Sequence, residues 1–138
     1  MTLNPDLVRT RCQEIEDSVA RLERLRSVTR DAFAKDEDTR DIACYRLLVA
    51  AEAALALCYH VSARRLSKVP EDYAGCFTLL RDAGLIDPEL ADRLGRMARS
   101  RNLLVHMYWK VDYGRVYDLM QHDLDDLRVF ARTMAALV

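Results

Sequence analysis

Glycine and proline are scarce in this sequence, with four and three among 138 residues. Many-stranded sandwiches and glycine-rich nucleotide folds need repeated tight turns, so their shortage excludes both and points to helices. An excess of charge of one sign is also missing. Twenty-one lysines and arginines against 22 aspartates and glutamates leave a net charge of -1, so any nucleic acid must be held by a local patch. Cys12, Cys44, Cys58 and Cys76 form no C-x-x-C pair, and no histidine stands near them at zinc-ligand spacing. No metal site is built on them. Cys44 and Cys58 fall within about 40° of one helical face, which predicts reduced, buried thiols packing as small apolar groups. Long apolar runs are absent as well: the stretch from Leu47 to Tyr59 contains Glu52 and is too short to cross a bilayer. With a polar N-terminus, the expectation is a soluble cytoplasmic protein without a membrane segment.

What is present is 51% hydrophobic and 31% charged, which suits one compact domain over residues 1–138. A domain this size buries roughly two-thirds of the surface of its unfolded chain and needs no staple. Asn4 and Pro5 announce a first helix, and Val8, Cys12, Ile15, Val19 and Leu22 give it an apolar stripe running to about Val28. The acidic residues Asp36, Glu37 and Asp38 read as a loop feeding a second helix from near Thr39, apolar on most sides beyond Ile42. Lys68, Val69 and Pro70 stop it. A short third helix starts near Tyr73 and ends at Gly84, a residue suited to a left-handed cap. Asp87 and Pro88 start a fourth, through Leu90, Leu94, Met97 and Leu104 toward Tyr108. Asp112 opens a fifth, with Val116, Met120, Leu127, Phe130, Met134 and Leu137 as one stripe. The fold class is all-α: an antiparallel bundle of four long helices and one short one.

The chemistry concentrates between Arg101 and Trp109, where strong polar groups recur inside an apolar helix end. At about 100° per residue, Asn102 shares a face with His106 and Arg101 with Tyr108, while Arg101 and His106 diverge by about 140°. Near a fraying end a long arginine can swing round to meet the imidazole. RNA cleavage that uses the 2′-hydroxyl as nucleophile needs a base, an acid and positive charge near the phosphorane, and no metal. His106 suits the proton transfers and Arg101 the phosphate oxygens. Asn102 supports by orienting the ring. One histidine leaves one proton transfer uncovered, which a two-fold homodimer would supply.

The string R-N-L-L-V-H-M-Y-W-K-V-D, Arg101 to Asp112, resembles the signature of the HepT family of toxin ribonucleases in the HEPN superfamily, whose hallmark is Arg, four to six residues, His, one residue, Tyr. Pro70 with Tyr73, L-R-D-A-G-L from Leu80, and P-E-L-A-D-R-L before the motif extend the likeness. The resemblance implies a HEPN-like domain acting as a metal-independent endoribonuclease and homodimer, without a cofactor. It further implies a toxin partnered by an MntA-type nucleotidyltransferase antitoxin. Arg101 and His106 would be catalytic, the substrate RNA, with transfer RNA among the candidates. The antitoxin of that family can transfer AMP to the motif tyrosine, here Tyr108, where added phosphates would fill the cleft beside Arg101. Ser100 departs from the pattern, standing where relatives often carry an aromatic residue.

Arg93, Arg96 and Arg99 recur every third residue and form a slanting stripe leading to the motif, a candidate path for RNA backbone. Alternatively they are a solvated face paired with Asp118, Asp123, Asp125 and Asp126. Tyr113 is a candidate base-stacking residue, as is Tyr117, although packing explains both. Arg64, Arg65 and Lys68 read as a helix end matching the dipole. His60 and His122 read as ordinary helix positions, and Trp109 as a dimer or core anchor. The rival function is a catalytically silent helical scaffold that binds a minimal nucleotidyltransferase; a helical dimer without any nucleic-acid role is the third.

Overall fold

The structure, a computed structural model, describes residues 2–106 and 111–138, with the backbone alone described at 102–106. Among these residues the chain forms seven α-helices: α1 Pro5–Leu25, α2 Arg30–Lys35, α3 Glu37–Arg65, α4 Tyr73–Asp82, α5 Pro88–His106, α6 Tyr113–His122 and α7 Leu124–Ala135. The all-α class is as the periodicity implies, and the helix count is higher than four long and one short.

Local chemistry accounts for most boundaries. The Asn4 side chain accepts from the backbone N–H groups of Asp6 and Leu7 at 3.1 and 3.3 Å, with Pro5 in the first turn. Asp112 caps α6 by accepting from Arg115 N–H at 3.1 Å. At the end of α4, Gly84 adopts φ 75° while Leu85 N–H reaches back to Leu80 C=O at 3.0 Å, the left-handed closure expected there. Ser67 does the same after α3 at φ 54°, with Lys68 N–H donating to Ser62 C=O.

Three boundaries differ from the sequence reading. The first helix stops at Leu25 rather than Val28, and Thr29 caps the short α2 by accepting from Ala32 N–H at 3.2 Å. The acidic stretch is a helix start rather than a loop: Asp36 caps α3, and Glu37 and Asp38 occupy its first turn, where the dipole favours them. The last long helix is broken at Asp123, which serves as both the C-cap of α6 and the N-cap of α7. No glycine or proline marks that break.

Helix α3 is the centre of the bundle and touches all six other helices. It is apolar on most sides because packing surrounds it: Leu47, Ala50, Ala53, Ala54, Leu57 and Val61 are buried. By length and composition α3 would suffice to cross a membrane, with mean hydropathy 1.6 over its most apolar window, but half of that window is buried inside the bundle. Helix α1 lies along α3 and α7, and α4 along α5 and α3. Phe77 of α4 meets Phe130 of α7 edge-on at 5.5 Å, both fully buried, and each such side chain contributes roughly 1.5–3 kcal/mol.

The cysteine expectation needs correcting. Cys58 and Cys76 form a disulfide joining α3 to α4, with Cα atoms 6.1 Å apart, inside the range a disulfide bridges. Nothing in a separation of 18 residues indicates this pairing; the docking of α4 on α3 creates it. Cys12 and Cys44 are the free thiols. Burial, followed by the charge of Asp41, pushes Cys44 up to about 11, which keeps it a protonated, unreactive thiol.

Candidate active site on helix α5

Three helices converge on Arg101. Asp72 caps α4 by accepting from Gly75 N–H at 2.6 Å, and a Cβ at Gly75 would sit 2.8 Å from that carboxylate, so glycine keeps the cap closed. The cap fixes Tyr73 at the first position of α4, where its ring stands edge-on to Tyr59, centroids 6.2 Å apart. The Arg101 guanidinium lies over the Tyr73 ring, 4.8 Å from its centroid, a placement worth roughly 1–2 kcal/mol when partly desolvated. From α3, the Glu52 carboxylate receives hydrogen bonds from Nε and Nη2 of Arg101. The Arg101 side chain is only 13% exposed, whereas Glu52 remains 47% exposed. A largely shielded guanidinium is thus clamped between a carboxylate and a ring, with its orientation set from two other helices.

Neither partner was identified as a site residue from sequence, although signals existed. Glu52 is the sole formal charge between Arg46 and Arg64 on α3, and Tyr73 belongs to the string carrying the family resemblance.

Helix α5 continues unbroken through His106, so Asn102 and His106 follow Arg101 in helical register. The side chains of Asn102 and His106 lie outside the described residues, as do Tyr108 and Trp109 altogether.

The neighbouring face of α5 is built differently. Arg93, Arg96 and Arg99 are all exposed, as the spacing every third residue implies. Arg93 forms a two-pronged ion pair with Asp126 at 3.0 Å, so the paired-face alternative holds for this one arginine of the stripe. Arg96 and Arg99 have no ion pair among the described residues. Asp118 pairs instead with Arg30 of α2 at 2.5 Å. Ser100, the departure from the family pattern, is buried. Its hydroxyl donates to Arg96 C=O at 3.2 Å and accepts from Nε and Nη2 of Arg115 at 3.2 and 2.9 Å. It thereby pins α6 to α5.

The remaining candidates have structural partners. Tyr113 is half-buried against the core with the Arg40 guanidinium 4.5 Å over its ring, which occupies one face that a base would use. Tyr117 donates its hydroxyl to Val28 C=O at 2.8 Å and packs on Phe33. His60 accepts the Asn4 N–H at Nε2, 2.9 Å away, tying α3 to the start of α1. No group of three or more His, Cys, Asp or Glu side chains able to hold a metal ion occurs among the described residues.

Comparison with known proteins places this arrangement. The model of the ribonuclease HepT-like family matches residues 15–134, which include every helix carrying the clamp and the whole motif. The chain belongs to the ribonuclease HepT-like family. The mRNA nuclease HepT of Shewanella oneidensis is 29% identical over 104 residues, 75% of this chain and 78% of that protein. Among solved structures, the tri-AMPylated HEPN toxin of S. oneidensis in complex with MNT antitoxin superposes with a TM-score of 0.84 at 25% identity, covering 95% of this chain and 98% of that one. A cytosolic protein of unknown function from Bacillus subtilis, YutE, shares the fold at the same TM-score of 0.84 with 18% identity, over 99% of this chain and 92% of its own. The HepT-like architecture therefore extends over nearly the full length of the chain.

Proposed function

We propose that this HepT-like chain is the toxin of a toxin–antitoxin pair, a metal-independent endoribonuclease of the cytoplasm that acts as a homodimer. The observation that carries the reading is the clamped Arg101, five residues before His106 on one continuous helix, in a chain of this family. In the proposed reaction a neutral His106 accepts the proton of the RNA 2′-hydroxyl as that oxygen bonds to phosphorus. Arg101 stabilises the charge on the non-bridging oxygens of the phosphorane. The bond from phosphorus to the 5′-oxygen then breaks, and the departing oxygen takes a proton from the second copy of His106 across the dimer. The products are a 2′,3′-cyclic phosphate and a 5′-hydroxyl. Asn102, one turn before His106, orients the ring. Every proton is handled by imidazole, so no step calls for a metal ion.

The antitoxin relationship follows the S. oneidensis toxin, whose solved complex contains an MNT antitoxin and a tri-AMPylated toxin. In this chain Tyr108 is the proposed acceptor of AMP from an MntA-type nucleotidyltransferase, and the added phosphates would compete with RNA for Arg101.

The test is RNA cleavage by the purified protein with and without EDTA, beside His106→Ala and Arg101→Ala. Chelator-resistant cleavage lost in both variants is the expected outcome. Cleavage that is absent in wild type, or equal in the variants, overturns the reading in favour of a silent scaffold. Mass spectrometry after incubation with the partner enzyme and ATP should find AMP on Tyr108.

A further inference from the structure

The geometry points to a backbone-phosphate subsite in the groove between α5 and α6, formed by Arg96, Arg99 and Arg115, with Ser100 as the residue that holds Arg115 in place. This inference rests on the ribonuclease reading and names where the RNA strand runs as it leaves the reacting phosphate.

The groove has a volume of about 260 Å³ and is lined by Arg96, Arg99, Ser100 and Arg115. It adjoins a second hollow of about 200 Å³ in which Arg93, Arg96 and Arg115 meet Asp118, His122 and Asp123. Two of the nearby carboxylates are engaged elsewhere, Asp118 by Arg30 and Asp126 by Arg93. Asp123 is the one carboxylate of these hollows without an ion pair among the described residues, so three arginines face a single uncompensated acid. Self-repulsion among three cations is unfavourable, and the Ser100 tie accounts for Arg115 but not for Arg96 and Arg99 beside it. Arg115 is nevertheless locked: both Nε and Nη2 point at the Ser100 hydroxyl, which is itself fixed by donating to Arg96 C=O. A pre-oriented guanidinium loses less side-chain freedom on meeting a phosphate than a mobile one does.

Position along the helix supports the same conclusion. At about 1.5 Å per residue, Arg99 stands about 10 Å and Arg96 about 15 Å from His106 along the α5 axis, within reach of a strand crossing from the reacting phosphate over a few nucleotides. Ser100 and Arg101 are adjacent and point about 100° apart, so the groove and the clamp are neighbouring faces of one helix. Arg93, held by Asp126, lies outside the subsite.

The experiment measures binding of a fluorescein-labelled single-stranded oligouridylate to the full-length His106→Ala protein by anisotropy across a salt series. Its arms carry Arg96→Gln with Arg115→Gln, Arg93→Gln alone, or Ser100→Ala, each checked for helicity by circular dichroism. Two lost phosphate contacts should reduce the slope of log K against log salt by about 1.4, whereas Arg93→Gln should leave it unchanged. Ser100→Ala should weaken binding about threefold without changing that slope, because the Arg115 charge remains but is no longer oriented. An unchanged slope in the folded double variant, or an equal decrease in Arg93→Gln, overturns the subsite even where wild type cleaves RNA. A double variant defective only in antitoxin binding overturns it too, assigning the groove to a protein partner. Absence of both cleavage and binding in wild type rejects the ribonuclease reading and the subsite together.

Discussion

The two faces of α5 solve opposite problems with the same residue type. On one face a single arginine is mostly shielded, paired with Glu52 and stacked on Tyr73, so its position is set by three helices. On the other, Arg96 and Arg99 are exposed and have no ion pair among the described residues, and Arg115 is tethered through a neutral hydroxyl. A charge-assisted, stacked contact fixes direction, which chemistry at one phosphorus requires; surface charge without such a partner keeps its attraction for a polyanion, which binding along a strand requires. Position in the bundle, rather than residue identity, separates the two roles.

The comparison is broken most severely at Arg101 itself. Arg101→Ala should lower kcat about 100-fold to 1000-fold, the range for removing one donor to a developing oxyanion, and single-turnover cleavage measures it. Glu52→Gln keeps the shape of the clamp but removes its charge; kcat should fall about tenfold with little change in KM, and Glu52→Asp should recover part of the loss. An equal rise in KM would place Glu52 in RNA binding rather than in aligning Arg101. On the other face, Ser100→Ala should cost about 1 kcal/mol of stability in urea unfolding by leaving Arg115 without its acceptor. Arg93→Gln should cost about 0.5 kcal/mol, because the arginine end of its pair with Asp126 is 43% exposed, although the carboxylate is only 14% exposed.

The smallest effect lies far from both faces and depends on pH. Burial, and then the charge of Arg64, hold the His60 imidazole below its ordinary value of 6.5 while its Nε2 accepts the Asn4 N–H. A base whose folded value is depressed stabilises the fold fully above its unfolded value; that contribution is lost as the pH falls from about 6.5 toward the folded value. Amide protection in the first turn of α1, taken as exchange relative to the intrinsic rate at each pH, should therefore fall between pH 7.5 and 5.5, and His60→Gln, which keeps an acceptor without titrating, should flatten the dependence.

Much of the fold was legible because its signals are local. Asn4 with Pro5, Asp112 and Gly84 act within one turn of their own position, and the stripes of α1 and α7 depend only on helical spacing. The split at Asp123 was not legible, since the stripe from Val116 to Met134 stays buried across it and no breaker residue stands there. The site divides likewise: Arg101 and the arginine stripe were found from spacing and resemblance, but the partners that distinguish one arginine from another come from α3, α4 and α6.

An all-helical chain, most helix starts and the positive charge along α5 follow from residue order alone, because caps and periodicity are interactions among near neighbours. Only the tertiary structure decided that Glu52 and Tyr73 clamp Arg101, that Ser100 holds Arg115, and that Cys58 joins Cys76. Each of those contacts spans 15 or more positions, from Ser100 to Arg115 up to Glu52 to Arg101 at 49. Such contacts exist only once apolar burial has brought separate helices to side-chain distance.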